Sequence, residues 1–541
     1  MMRSTFACAL SAGMAVSVGA QDYRSINGTG NNLSNHNLGS AGTLLLREAS
    51  GAMYQDGLGS MMPRPSARTI SNALGTQTAP LGNGRDLSSM FWQWGQFIDH
   101  DFALVGTNAA DPANIAVPAG DPWFDPMNTG TATIHFNRSL CIDGVNSPRQ
   151  HANEITHFLD GSMVYGSNET RATTLREHSG GRLLMTSDGF MPRNTFGLPN
   201  ANDTGAPDES LFLGGDVRAN EQVGLTAMHT LFVREHNRWA DTLGAQNPGW
   251  DDERIYQTAR KIVGAEIQKI TYEDWLPSMM GGKIDAYAGY DSNVDPSMSS
   301  AFTTAAYRFG HTMLNEQMLL IGPQGQDNGS YNLFESFFNP DLVTPDGVME
   351  DLMRGLAWQE ANEVDTQVID DVRNMLFGPP GSGGLDLLSL NLQRGRDHGV
   401  ADYNTMREDF GLERVDSFDD ITSDTSLAAA IAQAYDNDID SVDAWIGLMA
   451  EDHAPGAAIG ETLMAIFADQ FARMRDGDRF FYLNDADLLP WLSEIESTSL
   501  ADIIAYNTDA MLAGNVFVVP APASMALVGL AGLGVARRKR A

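Results

Sequence analysis

Cysteine is almost absent from this 541-residue chain: there are two, Cys8 and Cys141. A disulfide framework is thereby excluded as the source of stability, and loss of an N-terminal leader would leave Cys141 alone. Basic residues are also scarce. The 34 Lys and Arg stand against 69 Asp and Glu, a net charge of −35, which excludes nucleic acid or an anionic membrane as a partner of the folded body. Internal repeats and long low-complexity linkers are missing, so nothing divides the chain in two. The apolar run from Ala523 to Ala536 falls short of the ~20 residues that a stable membrane span needs. What is abundant is core material: 43% of residues are hydrophobic, ample for one large domain.

The two ends read as addresses. Met1 to Ala20 has Arg3 near its start, a modest apolar run through Ala15-Val16 and the small residues Val18-Gly19-Ala20 at its end, the pattern of a secretory signal. The far end runs Val519-Pro520-Ala521-Pro522, then apolar residues, then Arg537-Arg538-Lys539-Arg540. That order resembles bacterial C-terminal sorting signals with a Pro-Glu-Pro motif, Ala521 standing in place of the glutamate. The expectation is a signal peptide over 1–20, one domain over 21–515 and a sorting-like tail over 516–541. The protein is then secreted, extracellular or associated with the cell envelope, and it touches a membrane only transiently through the tail.

The most informative stretch is central. From Leu87 the residues Leu87, Met90, Phe91, Trp94, Phe97 and Ile98 recur at the spacing of one helical face, with Asp86 as the expected N-cap. This apolar helix then carries Gln96, Asp99, His100 and Asp101. At about 100° per residue the first three share a side, and Asp101 lies roughly 140° round from Gln96. One helix thus serves two polar sites. A lone histidine on an apolar helix is ordinarily a satisfied core residue, but burying several polar groups without partners is costly. The cluster therefore argues for a functional site.

Trp94 to Phe102 resembles the distal helix of animal-type haem peroxidases, the peroxidase-cyclooxygenase superfamily, known also in bacteria. Similar blocks follow in the same order: Asn137-Arg138-Ser139, Pro148-Arg149-Gln150, Thr156 to Ser167, Gly215-Asp216-Val217-Arg218, His229 to Asn237, Tyr307 to His311 and Asn391 to Gly399. The resemblance implies a mainly α fold, a single large helical domain with little β structure. It also implies haem b and calcium, and an enzyme that reduces hydrogen peroxide while oxidising a small donor.

By the same resemblance, His100 is the distal proton shuttle, Arg218 the distal arginine and Gln96 a residue that orders a water or halide. His311 is the axial ligand of haem iron, and Asn391 is the partner of its imidazole. Arg394 matches a partner of a haem propionate, and Arg308 lies one turn before His311. Asp99 and Glu221 match the carboxylates that relatives esterify to haem, so ester-linked haem is expected. Gln222 stands where one branch has the methionine of a sulfonium link. That third bond is not expected, and bromide, iodide, thiocyanate or a phenol is a better donor than chloride.

Other segments give less on their own. Residues 21–84, rich in Asn, Gly and Pro, read as an extended arm over the core. Alternate residues Thr156, Phe158, Asp160 and Ser162, with Asp101, offer oxygens to a hard cation; as bare spacing this is an ordinary polar loop, and the resemblance makes it the calcium site. Gly215 to Asp241 reads as a long helix with Arg218, Glu221 and Gln222 on one face. His229, Arg234, Glu235 and His236 match no zinc-protease spacing and read as helix packing and surface pairs. Ile255 to Trp275 reads as a scaffold helix. Phe302, Ala305, Ala306 and Phe309 form an apolar face before His311, and Arg473 to Phe481 are expected on the far side of the haem pocket.

Two other functions remain open at this point. A fatty-acid dioxygenase of the same superfamily carries a tyrosine three residues before the proximal histidine, where this chain has Arg308. A lapsed calcium-binding adhesion or matrix protein would not need His100, Arg218, His311 and Asn391 together, and the sequence has no Arg-Gly-Asp or Lys-Gly-Asp triplet.

Overall fold

The helix Ser89–Phe102 is the axis on which the site is built. Met90, Phe91, Trp94, Phe97, Ile98 and Phe102 are all fully buried, so apolar contacts surround the helix. Trp94 leans on Phe97, Phe232 and Phe517, and Phe91 stacks on Trp275 with ring centres 5.0 Å apart. The computed structural model describes residues 22–381 and 384–520. The secretory signal and nearly all of the sorting-like tail lie outside the described residues.

The helix begins two residues later than the apolar periodicity predicts. Leu87 and Ser88 are held extended by bridges to Val518 and Glu360, and the Ser88 hydroxyl donates to the Val516 carbonyl instead of capping. Asp86, the expected N-cap, sits at φ 55 and caps nothing. Val516 and Phe517 are buried beside this start.

Helices Val223–Gln246 and Asp252–Lys269 pack on one another. The second is capped by the Asp251 carboxylate, which accepts from the Arg254 N–H. It runs on into a π-helical turn, Ile270–Trp275, a wider winding that often marks functional sites. The indole of Trp275 there donates to the Phe91 carbonyl (2.9 Å). Among the described residues, beside isolated bridges, the strands form three two-stranded antiparallel sheets. They pair Thr107–Pro112 with Asn137–Ser139, Ile115–Ala116 with Thr133–Ile134, and Gln317–Ile321 with Asp327–Asn332. The chain is a single, mainly α domain, as its sequence predicts. Among the described residues no helix is long and apolar enough to cross a membrane.

Four local expectations are corrected. The helix predicted from Gly215 starts only at Val223, because the Gln222 side chain caps it by accepting from the Gly224 N–H (2.6 Å). Arg218 and Glu221 therefore lie in the turn before it, where the Glu221 N–H reaches the Arg218 carbonyl (2.9 Å). The arm is not wholly extended, since Ala67–Leu74 is a helix whose Arg68 is completely buried against Asp121 and Asp386. The apolar face before His311 is split at Ala305 (φ −128, ψ −67) into the helix Ser300–Thr304 and a 3-10 turn, Ala306–His311. Glu235 and His236 are no surface pair: both are fully buried.

Candidate active site

The 89–102 helix, the turn before Val223 and the 3-10 turn ending at His311 enclose one cleft. It holds about 1160 Å³ of non-atom space, its open mouth included, and Gln96, Asp99, His100, Arg218, Glu221, Arg308 and His311 all line it. The rest of the wall is largely apolar, with Phe91, Trp275, Leu333, Phe337 and Phe377 among its residues. Phe377 sits at φ 62, a left-handed conformation uncommon for a bulky side chain and one that gathers at functional sites.

On one wall, His100 is 2% exposed. Burial, reinforced by the Arg218 cation, holds its imidazole well below the ordinary value, so it is neutral at pH 7 and free to accept a proton. Arg218 grips Asp216 through Nε (2.8 Å) and Nη2 (3.0 Å) and reaches Asp99 through Nη1 (3.3 Å). Asp99 and Glu221 open onto the cleft but are otherwise enclosed by protein, with side chains 30% and 24% exposed. Desolvation raises Asp99 to about 6 and Glu221 to about 7, against the pull of Arg218. The Gln96 carboxamide is locked at both ends: Nε2 donates to Glu221 (2.9 Å) and Oε1 accepts from Gln222 (3.0 Å).

On the other wall, His311 Nδ1 bonds Asn391 Oδ1 at 3.1 Å, which leaves Nε2 for a ligand. Burial, with the Arg308 cation beside it, pushes this imidazole down to about 3, the neutral state that a metal requires. Arg308 donates to the same Asn391 oxygen (3.2 Å) and lines the cleft. Arg394 does not line it: its guanidinium is spent on Asn137, Ser139 and Asp397. Arg473 to Phe481 are likewise absent from the wall. Behind it, Phe471 meets Trp275 and Phe467 stacks on Tyr307.

Asp101 points away from the cleft. Its carboxylate accepts from the N–H groups of Asp160 (2.8 Å) and Gly161 (2.9 Å) and from the Ser162 hydroxyl (2.7 Å). Asp101, Thr156, Phe158, Asp160 and Ser162 are all at most 3% exposed. Desolvation, with the Asp160 charge beside it, raises Asp101 to about 8, and desolvation also raises Asp160, helped by Asp478 and opposed by Arg24 and Arg260. Asp160 Oδ2 and Thr156 Oγ1 are buried without any protein partner. An oxygen set with surplus negative charge and orphaned acceptors fits a hard cation. Asp216 was missed as a site residue by sequence reasoning, since an aspartate two positions before an arginine is unremarkable until the fold shows His100 beside it.

A large helical domain with a cleft between two neutral histidines, one buried with an arginine beside it and one at the cleft wall tied to an asparagine, is the architecture of a haem peroxidase. The animal haem peroxidase profile matches residues 23–517, and a PEP-CTERM protein-sorting motif matches residues 518–540. Peroxinectin A of Dictyostelium discoideum is 37% identical over 507 residues, covering 90% of this chain and 94% of that one. The peroxidasin homolog of Mus musculus is 34% identical over 90% of this chain, which spans only 37% of its length. Among solved structures, peroxidase A from D. discoideum superposes with a TM-score of 0.87 at 36% identity, covering 92% of this chain and all of the other. Oryza sativa fatty acid alpha-dioxygenase shares the fold (TM-score 0.77, 23% identity, covering 92% of this chain and 87% of that one). The chain belongs to the animal haem peroxidase family, and it is a haem-dependent peroxidase.

Proposed function

We propose that the protein is an exported peroxidase that reduces hydrogen peroxide and oxidises bromide, iodide, thiocyanate or a phenol. The observation that carries this reading is the single cleft lined by His100 and Arg218 on one wall and by the Asn391-bonded His311 on the other. Haem, when bound, supplies the redox-active iron at which peroxide is reduced and through which donor electrons pass. His311, with Nδ1 tied to Asn391, would hold it through Nε2. His100 takes a proton from incoming peroxide and returns it to the leaving oxygen, which departs as water. Arg218 stabilises the negative charge that develops as the O–O bond lengthens. Gln96, its carboxamide fixed by Gln222 and Glu221, orders a water or halide beside His100. Arg308 faces the cleft where Arg394 does not, and takes the part of the propionate partner. Calcium would be held by Asp101, Thr156, Phe158, Asp160 and Ser162, where Asp160 Oδ2 and Thr156 Oγ1 have no protein partner. The 21–515 body, between a leader and a sorting tail, works outside the cell or at its envelope.

The test is a steady-state comparison of the four donors with purified holoprotein. Peroxide-dependent oxidation of bromide, iodide, thiocyanate or phenol is the expected result. Oxygen uptake with linoleate and no peroxide-dependent oxidation would transfer the chain to the dioxygenase branch.

That Asp99 and Glu221 both line the cleft supports the reading that both esterify haem. After turnover with peroxide, acidified organic solvent is expected to leave haem on the denatured chain, and the paired changes Asp99→Asn and Glu221→Gln to release it. Complete extraction from the unaltered protein would contradict the ester assignment.

A further inference from the structure

Asp216 is 3% exposed and lies behind both His100 and Arg218. Its Oδ1 accepts from the Arg218 backbone N–H and from Nε, each at 2.8 Å, and its Oδ2 from Nη2 at 3.0 Å. The same Oδ1 stands 3.7 Å from His100 Nδ1, a nitrogen that is buried and has no hydrogen-bond partner among the described residues. His100 Nε2 faces the opposite way, 3.7 Å from Glu221 Oε2 at the cleft. The other titratable groups close to His100 are Arg218 and His229, the latter with its ring centre 6.1 Å away.

A neutral imidazole carries one proton, on one nitrogen or the other. If Nε2 held it, His100 would have no lone pair for peroxide. The Nδ1–H form needs an acceptor inside the protein, and Asp216 is the acceptor in place. A separation of 3.7 Å exceeds a formed hydrogen bond, but such contacts tighten when the reacting complex assembles. An arginine anchor alone would not require an Asp216 oxygen to face the imidazole.

Resting on the proton-shuttle reading of His100, we propose that Asp216 is the positioning residue of the distal wall. It selects the Nδ1–H tautomer of His100, aims Nε2 at the peroxide and steadies the imidazolium that forms when the peroxide proton arrives. The proton moves from peroxide to Nε2 and back to the leaving oxygen; Asp216 exchanges none. The Arg218 fork keeps its carboxyl well below the ordinary carboxylate range, so it stays an anion throughout.

The test uses holoprotein carrying Asp216→Asn, which keeps the shape and an oxygen for Arg218 but removes the charge. The rate of reaction with hydrogen peroxide is expected to fall by about 10²-fold. Affinity for cyanide, which enters as HCN and must also hand its proton to His100, is expected to fall with it and to change its pH profile. Combined with His100→Ala, the Asp216 change should add no more than about two-fold, the non-additivity of residues acting as a unit. Combined with Arg218→Leu, it should still weaken cyanide binding. An unchanged cyanide profile, or an effect that persists without His100 and vanishes without Arg218, would reduce Asp216 to an arginine anchor and overturn the proposal. Should the Asn variant accumulate poorly, Asp216→Ser is read by the same titration against Asp216→Glu, which should restore the profile. Failure here is distinct from failure of the function: intact turnover in His100→Ala alone would remove the shuttle itself.

Discussion

Replacing His100 by Ala is expected to slow the reaction of the holoprotein with hydrogen peroxide by about 10²–10⁴-fold, the range that a positioned acid-base group supplies. Haem content should be preserved, because His311 and Asn391 hold the opposite wall of the cleft. The burial that holds the imidazole neutral also sets the pH dependence. A group depressed in this way remains a competent base as pH falls below the ordinary histidine value, so activity should persist into mildly acidic solution before it declines. Arg218→Leu is expected to be costly for a different reason: it removes transition-state charge stabilisation and frees the carboxylates of Asp99 and Asp216 from their shared cation. Stopped-flow measurement of the peroxide step, with haem quantified in parallel, separates lost chemistry from lost cofactor. A His100→Ala protein that reacts at the unaltered rate would sink the shuttle.

The helix Ser89–Phe102 was legible because its apolar residues repeat with helical period and its polar ones break that period together. Its start was not, because what stops it is distant: Val518 and Glu360 pair with Leu87 and Ser88. No local pattern encodes a partner more than 250 positions away. The turn carrying Arg218 and Glu221 was misread for a related reason. Residues 215–222 have helical spacing, and only the Gln222 cap and the grip of Asp216 on Arg218 decide against a helix. Family blocks pointed to His100, Arg218 and His311, which do line the cleft, whereas Arg394, equally inside one, is turned toward Asp397 by packing that its neighbours in sequence do not reveal. Phe337, Phe377 and Trp275 line the cleft without any signature, since an aromatic residue in a core and one in a pocket wall look alike in sequence. Asp216 shows the limit most clearly, because its meaning comes from His100, which is 116 positions earlier.

Removal of calcium is expected to destabilise the protein, and to do so more severely as pH rises. Without a cation, desolvation and the charge of Asp160 raise Asp101 to about 8, and desolvation raises Asp160 in the same direction. In an unfolded chain an aspartate ionises near pH 4. Between those values the folded, metal-free protein must retain protons that the unfolded chain gives up. Its stability is therefore greatest at low pH and falls as pH rises, by about 1.4 kcal/mol per unit for each carboxyl held protonated. With calcium bound, the same carboxylates are ionised in the folded state and the sign reverses, so that stability is lost as pH falls. The Tm difference between calcium-loaded and chelator-treated holoprotein should accordingly be small at pH 5 and widen toward pH 8. Asp160→Asn should weaken calcium binding and shrink that difference. Because Asp101 directly follows His100 at the end of the helix, the peroxide reaction should slow in parallel with calcium loss. A Tm indifferent to chelator at pH 8, or a gap that narrows as pH rises, would mean that no cation occupies the site.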